Sequence, residues 1–400
     1  MTGITMILGQ RASFWVAAAV VAHTIWTSAA PAMTYPLYAV EWGLNTTQTA
    51  TIFAIYPIVV VGMLICFGDI SDYIGRRTTM LLGLAASFLG VLLFAVAPDL
   101  WWIYIGRAFM GVGVGLSAGP ATAAMVEFSA AGQAGKASAI ATVAQSAGLA
   151  LATLIGGALI EYAPLPTRLN FWLLLVIIAL IFSAAWFLPG HTSAEAKGRW
   201  RPKTPSIPRE LIPVFISSAA AVVSAYAIGA LGLSLGAQIA RDLIGSGNVM
   251  LNGATLAVFA VASGATGLVA KGLTSRSAIA LGVAASACGM GLLAWSVAEH
   301  SLVIFLAFLL MAGMAYCLMF MGGLGLINMF APSHHRGGTL SALYLVAYLI
   351  QGGFALTLGS VATHWNLATA IDAGAVVILL VSLFTGVFST LLGTRARAMA

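Results

Sequence analysis

Charged residues are the scarcest class in this chain of 400 amino acids. Asp, Glu, Lys and Arg together make up 7% of the sequence, whereas 61% of the residues are hydrophobic. A soluble globular domain ordinarily carries about 25% charged residues, so this composition excludes that class. The uncharged runs are long enough for about twelve membrane-spanning helices of ~20 residues each.

Cysteine is also scarce, and motifs for cofactors are missing. Cys66, Cys288 and Cys317 lie in apolar runs without paired spacing, so we expect buried thiols rather than disulfides or a metal site. No Walker A sequence is present, which excludes ATP bound through that loop as the energy source. The adjacent residues His334 and His335 lack the i, i+4 spacing that directs two imidazoles at one metal. We therefore expect no cofactor, no metal ion and no catalytic centre, and the protein is not expected to be an enzyme.

The apolar runs predict an all-α integral membrane protein with twelve transmembrane helices. The first run is long and lacks a small-residue cleavage site, so we expect an uncleaved span rather than a signal peptide. The spans are predicted at about residues 12–38, 49–67, 78–97, 101–127, 137–160, 170–188, 211–237, 249–270, 277–297, 301–327, 339–362 and 368–391.

A polar segment divides these spans into two groups of six. Residues 191–209 are rich in proline and basic residues and have no hydrophobic periodicity, which predicts a linker. We therefore predict an N-terminal six-helix bundle at residues 1–190 and a C-terminal six-helix bundle at residues 210–400.

An internal repeat supports this division. The stretch Gly68–Arg77 is echoed at Gly267–Arg276, and Gly111 is echoed by Gly313. The period is about 200 residues, which predicts two pseudo-symmetric halves related by an axis along the membrane normal.

The basic residues predict the orientation in the membrane. All but three of the 17 Lys and Arg residues fall at the chain ends, in the even-numbered turns or in the linker. Arg168 and Arg241 fall on the opposite side, and Arg107 lies inside the fourth span. Because cytoplasmic segments carry the excess of Lys and Arg, we predict a multi-pass protein of the cytoplasmic (inner) membrane with both termini in the cytoplasm. The net charge of +6 is thereby attributed to membrane orientation, and no nucleic-acid partner is expected.

A short charged island, Gly68–Arg77, separates the second and third spans. It resembles the G-x-x-x-D-x-x-G-R-[KR] signature of major facilitator superfamily transporters, with Tyr73 standing where that family usually carries a base. The two glycines are expected to let the backbone turn at low steric cost. The matching residues are Gly68, Asp72, Gly75, Arg76 and Arg77.

The resemblance implies a twelve-helix drug or metabolite:proton antiporter with two bundles that rock around a midplane cavity. In that fold Asp72 would approach the start of the eleventh span near Thr339, and Arg76 would pair with Glu127 at the end of the fourth span. Together with Gly68, Gly75 and Arg77, these residues are predicted to form a gate on the cytoplasmic side.

Arg107 is the most informative residue of the fourth span. The stretch Arg107-x-x-x-Gly111-x-Gly113 resembles the fourth-span signature of exporters in the same superfamily, where such an arginine is associated with proton coupling. An arginine inside hydrocarbon costs at least about 2.5–3.5 kcal/mol, so we expect it to face a cavity or a partner. The alternative is a side chain that snorkels to the outer headgroups. The neighbouring glycines are expected to allow close helix packing.

His23 lies near the middle of the first span. A histidine there could bind substrate or a proton, because it changes charge near neutral pH. The alternative is a neutral histidine that is hydrogen-bonded inside the bundle.

The polar and aromatic residues of the spans around the cavity complete the set of candidate substrate-binding or coupling residues. With few acids and one base, such a cavity suits an amphiphilic or weakly anionic organic compound. The candidates are His23, Trp26, Tyr35, Arg107, Gln145, Tyr226, Gln238, Tyr316, Tyr348 and Gln351.

The leading functional prediction is export of small organic molecules by a monomer in the lipid bilayer, driven by protons in antiport. One alternative is proton-coupled uptake of a small organic acid, with Arg107 as the carboxylate ligand. The other is a non-transporting membrane sensor.

Overall fold

The computed structural model describes residues 8–68, 70–130, 134–190, 207–243, 245, 247–331 and 333–398. Within these ranges twelve helices are long and apolar enough to cross a membrane, and the prediction of an all-α membrane protein is confirmed. In chain order the helices are α1 (Gln10–Glu41), α2 (Thr46–Phe67), α3 (Arg76–Val96), α4 (Leu100–Glu127), α5 (Ala134–Tyr162), α6 (Leu169–Trp186), α7 (Ile212–Gln238), α8 (Val249–Val269), α9 (Ser275–Ala298), α10 (Leu302–Phe330), α11 (Ser333–His364) and α12 (Leu367–Ala398).

Polar residues between the apolar runs fix where several helices begin. The Asn45 side chain accepts a hydrogen bond from the Gln48 amide, and the Gln48 side chain accepts one from the Asn45 amide, so a capping box starts α2. The Asp99 carboxylate accepts hydrogen bonds from the amides of Trp101 and Trp102 at the start of α4. The first amides of a helix lack intrahelical partners, so each such cap stabilises its helix by about 1 kcal/mol.

Two helices depart from regular α geometry. In α1, a 3₁₀ turn at Ala30–Met33 joins Gln10–Ala29 to Tyr35–Glu41, and it contains Pro31, which has no amide to donate. At the other departure, a π-helical turn at Ile239–Leu243 follows α7. We call the end of the bundle where α1 begins the termini end, and the opposite end the far end. Both irregular turns lie at the far end. The sequence predicted neither departure.

The packing repeats between the first and last six helices. In the first six, α1 packs against α4 and α5, α2 packs against α4, and α3 packs against α4 and α6. In the last six, α7 packs against α10 and α11, α8 against α10, and α9 against α10 and α12. Each pair has its counterpart six helices later, as the predicted internal repeat requires.

The two sets of helices meet along two seams. The helix α5 packs against α8, and α2 packs against α11. If each helix is replaced by its counterpart six helices away, the α5–α8 pair becomes the α11–α2 pair. A two-fold axis along the membrane normal relates the two seams in this way. Between the seams, α1 contacts α7 around its 3₁₀ turn.

Glycines set the closeness of the α2, α3 and α4 packing, as the sequence predicted for α4. A Cβ on Gly111 would lie 2.9 Å from the carbonyl oxygen of Tyr56 in α2. A Cβ on Gly113 would lie 2.7 Å from the carbonyl oxygen of Gly83 in α3. Backbone atoms cannot rotate away as a flexible side chain can, so these helices approach each other only without side chains at those positions.

Cysteine burial differs from the prediction. Cys317 is buried, but Cys66 and Cys288 are exposed on the surface of the bundle. Both residues lie on the outward faces of their helices. Apolar side chains are found on lipid-facing as well as on buried faces, so the sequence pattern did not distinguish the two. The predicted linker lies outside the described residues at positions 191–206, and residues 209–211 form a 3₁₀ turn ahead of α7.

Candidate functional site

Arg107 is the most deeply buried charged residue of the described chain, with no exposed surface. Its Nε donates a hydrogen bond of 3.1 Å to the carbonyl oxygen of Ile52 in α2. Its guanidinium carbon lies 4.8 Å from the ring centre of Tyr56 and 6.0 Å from that of Phe53. The hypothesis that this side chain snorkels to the headgroups is therefore wrong, since it points into the bundle.

The guanidinium is only partly compensated. No described residue accepts a hydrogen bond from Nη2 of Arg107, and no described carboxylate forms an ion pair with it. A carbonyl oxygen and the face of an aromatic ring stabilise a cation, but less than a carboxylate does. A buried cation without a counter-ion is costly, so the position can attract an anion or a polar ligand.

Four of the last six helices contribute to an aromatic cluster. Tyr226 lies nearly parallel to Tyr316 and Phe320, with ring centres 6.4 Å and 6.0 Å away. Tyr348 meets Tyr226 edge-on at 5.0 Å. We use the name aromatic cluster for Tyr226, Phe259, Tyr316, Phe320, Tyr344 and Tyr348, which come from α7, α8, α10 and α11.

Tyr56 connects this cluster to the first six helices. The Tyr348 hydroxyl is a neighbour of the hydroxyls of both Tyr56 and Tyr226. Because the ring of Tyr56 also lies under Arg107, a continuous set of polar aromatic contacts runs from α4 through α2 to α11 and α7. The structure thus brings together four of the predicted residues, Arg107, Tyr226, Tyr316 and Tyr348, through one residue that the sequence did not single out.

One side of α1 carries buried polar atoms without partners. His23 is 1% exposed, and its Nδ1 lies 3.3 Å from the carbonyl oxygen of Val20. Among the described residues, no partner binds Nε2 of His23, Nε1 of Trp26, Oγ1 of Thr27 or the hydroxyl of Tyr35. Tyr35 lies close enough to Arg107 for an electrostatic interaction. Residues 23, 26 and 27 share one face of the helix, since their spacing is i, i+3, i+4.

A small apolar cavity lies on the boundary between the two sets of helices. Its volume is about 20 Å³, measured as space open to the centre of a water molecule, which is room for one water. A Cβ on Gly229 in its wall would lie 3.4 Å from the Tyr316 ring, so the cavity adjoins the aromatic cluster. Its lining includes Leu149 and Thr153 of α5, and none of the predicted substrate-binding residues.

The predicted glutamines are scattered. Gln145 is half-buried in α5, whereas Gln238 and Gln351 are buried at 7% and 9% exposure. The side-chain oxygen of each buried glutamine has no hydrogen-bond partner in the described part of the chain. They lie on α7 and α11, whose polar surfaces face other helices.

Three polar contacts join the two sets of helices at the far end. Thr47 at the start of α2 binds Thr363 near the end of α11, with both its amide and its hydroxyl 2.8 Å from the Thr363 hydroxyl oxygen. The carboxylate of Glu161 in α5 accepts a 2.8 Å hydrogen bond from the amide of Val249, the first residue of α8. Arg241 donates to the carbonyl oxygen of Pro36, at 3.4 Å. We call these three contacts the far-end latch; no local sequence pattern indicates them.

The charged island lies at the termini end and is partly as predicted. Arg76 forms an ion pair of 3.0 Å with Glu127, the contact that the resemblance implied. Arg77 lies over the ring of Trp186 at the end of α6, 5.8 Å from its centre. Asp72 is exposed, and its approach to Thr339 stays a prediction because side chains 332–338 lie outside the described residues.

The two glycines of the island behave differently. Gly75 has φ +90°, a conformation that L side chains rarely adopt, so glycine is required there. Gly68 has φ −58°, which any residue adopts, so the expectation that it provides conformational freedom is wrong. A Cβ on Gly68 would instead crowd the carbonyl oxygen of Leu64 at 2.5 Å.

Twelve helices in two similarly packed sets, with a buried arginine in the fourth and a charged island after the second, define a transporter of the facilitator type. The model of the Major Facilitator Superfamily matches residues 15–355, and the chain belongs to this family.

Individual relatives are more distant. The chain is 26% identical to the class E tetracycline resistance protein of Escherichia coli over 328 residues, which cover 79% of each chain. It is 32% identical to the multidrug efflux pump LfrA of Mycolicibacterium smegmatis over 154 residues, which cover 37% of this chain and 30% of the pump. It is 31% identical to the puromycin resistance protein pur8 of Streptomyces alboniger over 124 residues, which cover 30% of this chain and 24% of that protein.

A solved structure shares the fold. It is a bacterial homolog of the human lysosomal transporter Spinster, with a TM-score of 0.69 and 14% sequence identity, and 96% of each chain is covered. The prediction of a twelve-helix facilitator fold is thereby confirmed.

Proposed function

We propose that this protein exports small organic molecules, either drug-like compounds or metabolites, across the cytoplasmic membrane in exchange for protons. The observation that carries the proposal is the similarity to a tetracycline resistance protein over most of both chains. The matches to a multidrug efflux pump and to a puromycin resistance protein support export in the same way.

The interior supports an organic substrate with apolar and aromatic groups. The aromatic cluster and the adjoining apolar cavity lie where the two sets of helices meet, and the described cavity lining contains no charged residue. Such a surface binds rings by stacking and burial of apolar area, with phenol hydroxyls available for hydrogen bonds. A sugar would need more paired amides and carboxylates than this centre provides.

In the proposed mechanism, residues 1–190 and 210–400 rock about this centre, and the linker 191–209 connects them in the cytoplasm with both termini. The cluster of Gly68, Asp72, Gly75, Arg76, Arg77 and Glu127 holds the cytoplasmic side closed when the opposite side opens. The 3.0 Å ion pair between Arg76 and Glu127 joins α3 to α4 at that end of the bundle. We propose that the protein works as a monomer, because each monomer of this fold contains its own complete cavity.

A second candidate is proton-coupled uptake of a small organic acid. It is favoured by the Nη2 atom of Arg107, which has no hydrogen-bond partner among the described residues. A carboxylate that entered from the cavity would supply the missing counter-ion, provided that Arg107 becomes accessible in another conformation.

Proteoliposomes with imposed pH gradients test both candidates. Tetracycline, puromycin and benzoate serve as probes, and each is measured under both gradient polarities. Protein-free liposomes are the reference, because weak acids and bases distribute across a pH gradient without a carrier. Export by antiport predicts accumulation of tetracycline or puromycin on the acidic side, whereas uptake by symport predicts benzoate accumulation on the alkaline side. Absence of flux for tetracycline and puromycin under either gradient would contradict the export proposal and favour the sensor.

A further inference from the structure

The described acidic residues leave the membrane interior without a carboxylate. The sequence contains 11 Asp and Glu residues, and those that the structure describes lie between helices, at helix ends or, in the deepest case, in the second turn of α12 at Asp372. A proton that is exchanged for a transported molecule must bind inside the protein at some stage. Among the described residues, a carboxylate in mid-membrane, the simplest proton carrier, is not available.

One histidine is a candidate for the interior proton site. Of the six histidines, His191 falls outside the described residues, His300 lies between helices, His334 and His335 lie in the first turn of α11, and His364 is its last residue. The sixth is His23, 13 residues after the start of α1 and therefore about 20 Å along the helix, near the middle of a ~30 Å hydrocarbon layer. Phenols and thiols lose protons only at alkaline pH, so His23 is the interior side chain that changes charge near neutral pH.

The hydrogen bonding of His23 leaves one ring nitrogen open. Nδ1 lies 3.3 Å from the Val20 carbonyl oxygen, which can only accept, so Nδ1 carries the hydrogen. Nε2 then has a free lone pair, and no described group donates to it. The ring is 1% exposed, so in this conformation a second proton would create an uncompensated buried charge.

The charged groups on the helices that pack against α1 bind partners other than His23 or lie at the ends of the bundle, away from it. On α4, Arg107 contacts Ile52 and Tyr56, and Glu127 pairs with Arg76. On α5, Lys136 falls in the first turn, at the termini end, Glu161 binds the Val249 amide at the far end, and Tyr162 follows it on the surface. The described part of α6 has no titratable residue, and Arg76 and Arg77 of α3 lie at the termini end.

We infer that His23 binds the coupled proton, through Nε2, in a conformation in which this nitrogen is hydrated. The inference rests on the proton-coupled export proposed above and assigns its proton site. Since the conformation with a wet Nε2 binds the proton more tightly than the dry one described here, acidification shifts the equilibrium away from this structure. One proton changes the ratio of the two conformations by at most about tenfold per pH unit.

Direct titration tests the site without any substrate. Histidine labelled with ¹³C at Cε1 gives six signals in the purified protein in nanodiscs, and His23→Asn identifies the one from His23. We expect this signal to titrate between pH 5 and pH 8.5, and His364→Asn assigns an exposed histidine as the ordinary reference. A His23 signal that stays neutral throughout this range would overturn the inference.

A conformational readout tests what the proton does. Cysteines at Thr47 and Thr363, in a background that lacks the three native cysteines, report closure of the far end through bridging by mercuric ion at each pH. We expect bridging to fall on acidification, His23→Asn to abolish this dependence, and the exposed control His300→Asn to retain it. A pH dependence that persists in His23→Asn would refute the assignment.

Transport separates the failure of this inference from the failure of the proposed function. If wild-type protein accumulates neither tetracycline nor puromycin under a pH gradient, proton coupling fails even where His23 titrates. If wild-type protein accumulates tetracycline or puromycin, His23→Asn should lose accumulation of that probe and keep its gradient-independent exchange. A variant that loses the exchange as well would show that His23 is a structural or substrate-contacting residue and would overturn the inference.

Discussion

The seam between α5 and α8 gives a sharp prediction, because two glycines bring the helices into backbone contact there. A Cβ on Gly253 would overlap the carbonyl oxygen of Thr153 and lie 3.1 Å from its carbonyl carbon. A Cβ on Gly157 would lie 2.8 Å from the carbonyl oxygen of Val249. The substitution Gly253→Ala therefore forces α8 away from α5, since no flexible side chain can yield.

The free-energy cost of Gly253→Ala depends on which atoms the new methyl group meets. Overpacking a tight site typically costs about 1–3 kcal/mol, and here the obstacle is backbone. The Glu161 contact with the Val249 amide lies on the same seam, so separation also weakens the far-end latch. We expect Gly253→Ala to lower the ratio of far-closed to far-open protein by roughly 5- to 150-fold.

Mercuric-ion bridging between cysteines at Thr47 and Thr363 measures this ratio on the other seam. The matched control is Gly291→Ala in α9, where a Cβ would meet nothing within 4 Å. Alanine there should leave bridging unchanged and favour the helix slightly. If Gly253→Ala bridges as efficiently as Gly291→Ala, the seam does not govern closure of the far end and the reasoning is refuted.

Three further experiments test the roles of charged residues. The Arg76–Glu127 pair is partly exposed, so a double-mutant cycle of alanine variants, followed by thermal unfolding, should give a coupling below about 1 kcal/mol; a larger value would show that the pair is shielded from water. Arg107→Met removes an uncompensated buried charge, so we expect unchanged or higher thermal stability together with loss of tetracycline transport; a large loss of stability would show that Arg107 is fully compensated. Asp72→Asn should abolish transport while expression and thermal stability stay normal, and normal transport would defeat the gating assignment.

The helices were predictable from sequence because lipid imposes a simple rule. A backbone in hydrocarbon must satisfy its own hydrogen bonds, so long apolar runs become helices whose limits lie close to the charged and capping residues. The α2 and α4 starts follow from Asn45 and Asp99 in this way. The break in α1 was not predictable, because Pro31 is compatible with a kinked membrane helix as well as with a 3₁₀ turn.

The residues that meet in the centre were only partly predictable. Arg107 stood out because a charge in hydrocarbon is costly, and the charged island stood out because it interrupts two apolar runs. Tyr56 did not stand out, since a tyrosine in an apolar helix is ordinary and its role depends on Arg107 above it and Tyr348 beside it. Thr47 and Thr363 are 316 positions apart, and no local pattern indicates that they touch.

The far-end latch has a strength suited to a transporter. Its contacts are exposed or part-buried, so water replaces each bond when it opens and the net contribution of each is about 0.5–1.5 kcal/mol, the charged ones included. Three such contacts contribute roughly 1.5–4.5 kcal/mol together. A two-state equilibrium with a gap of a few kcal/mol can be reversed by one ligand that prefers the other state. A proton at His23 supplies up to about 1.4 kcal/mol per pH unit, so a gradient of two units is comparable to the latch itself. A far end held by buried ion pairs would exceed that limit, and the weak polar contacts seen here are therefore the kind that a single proton can open.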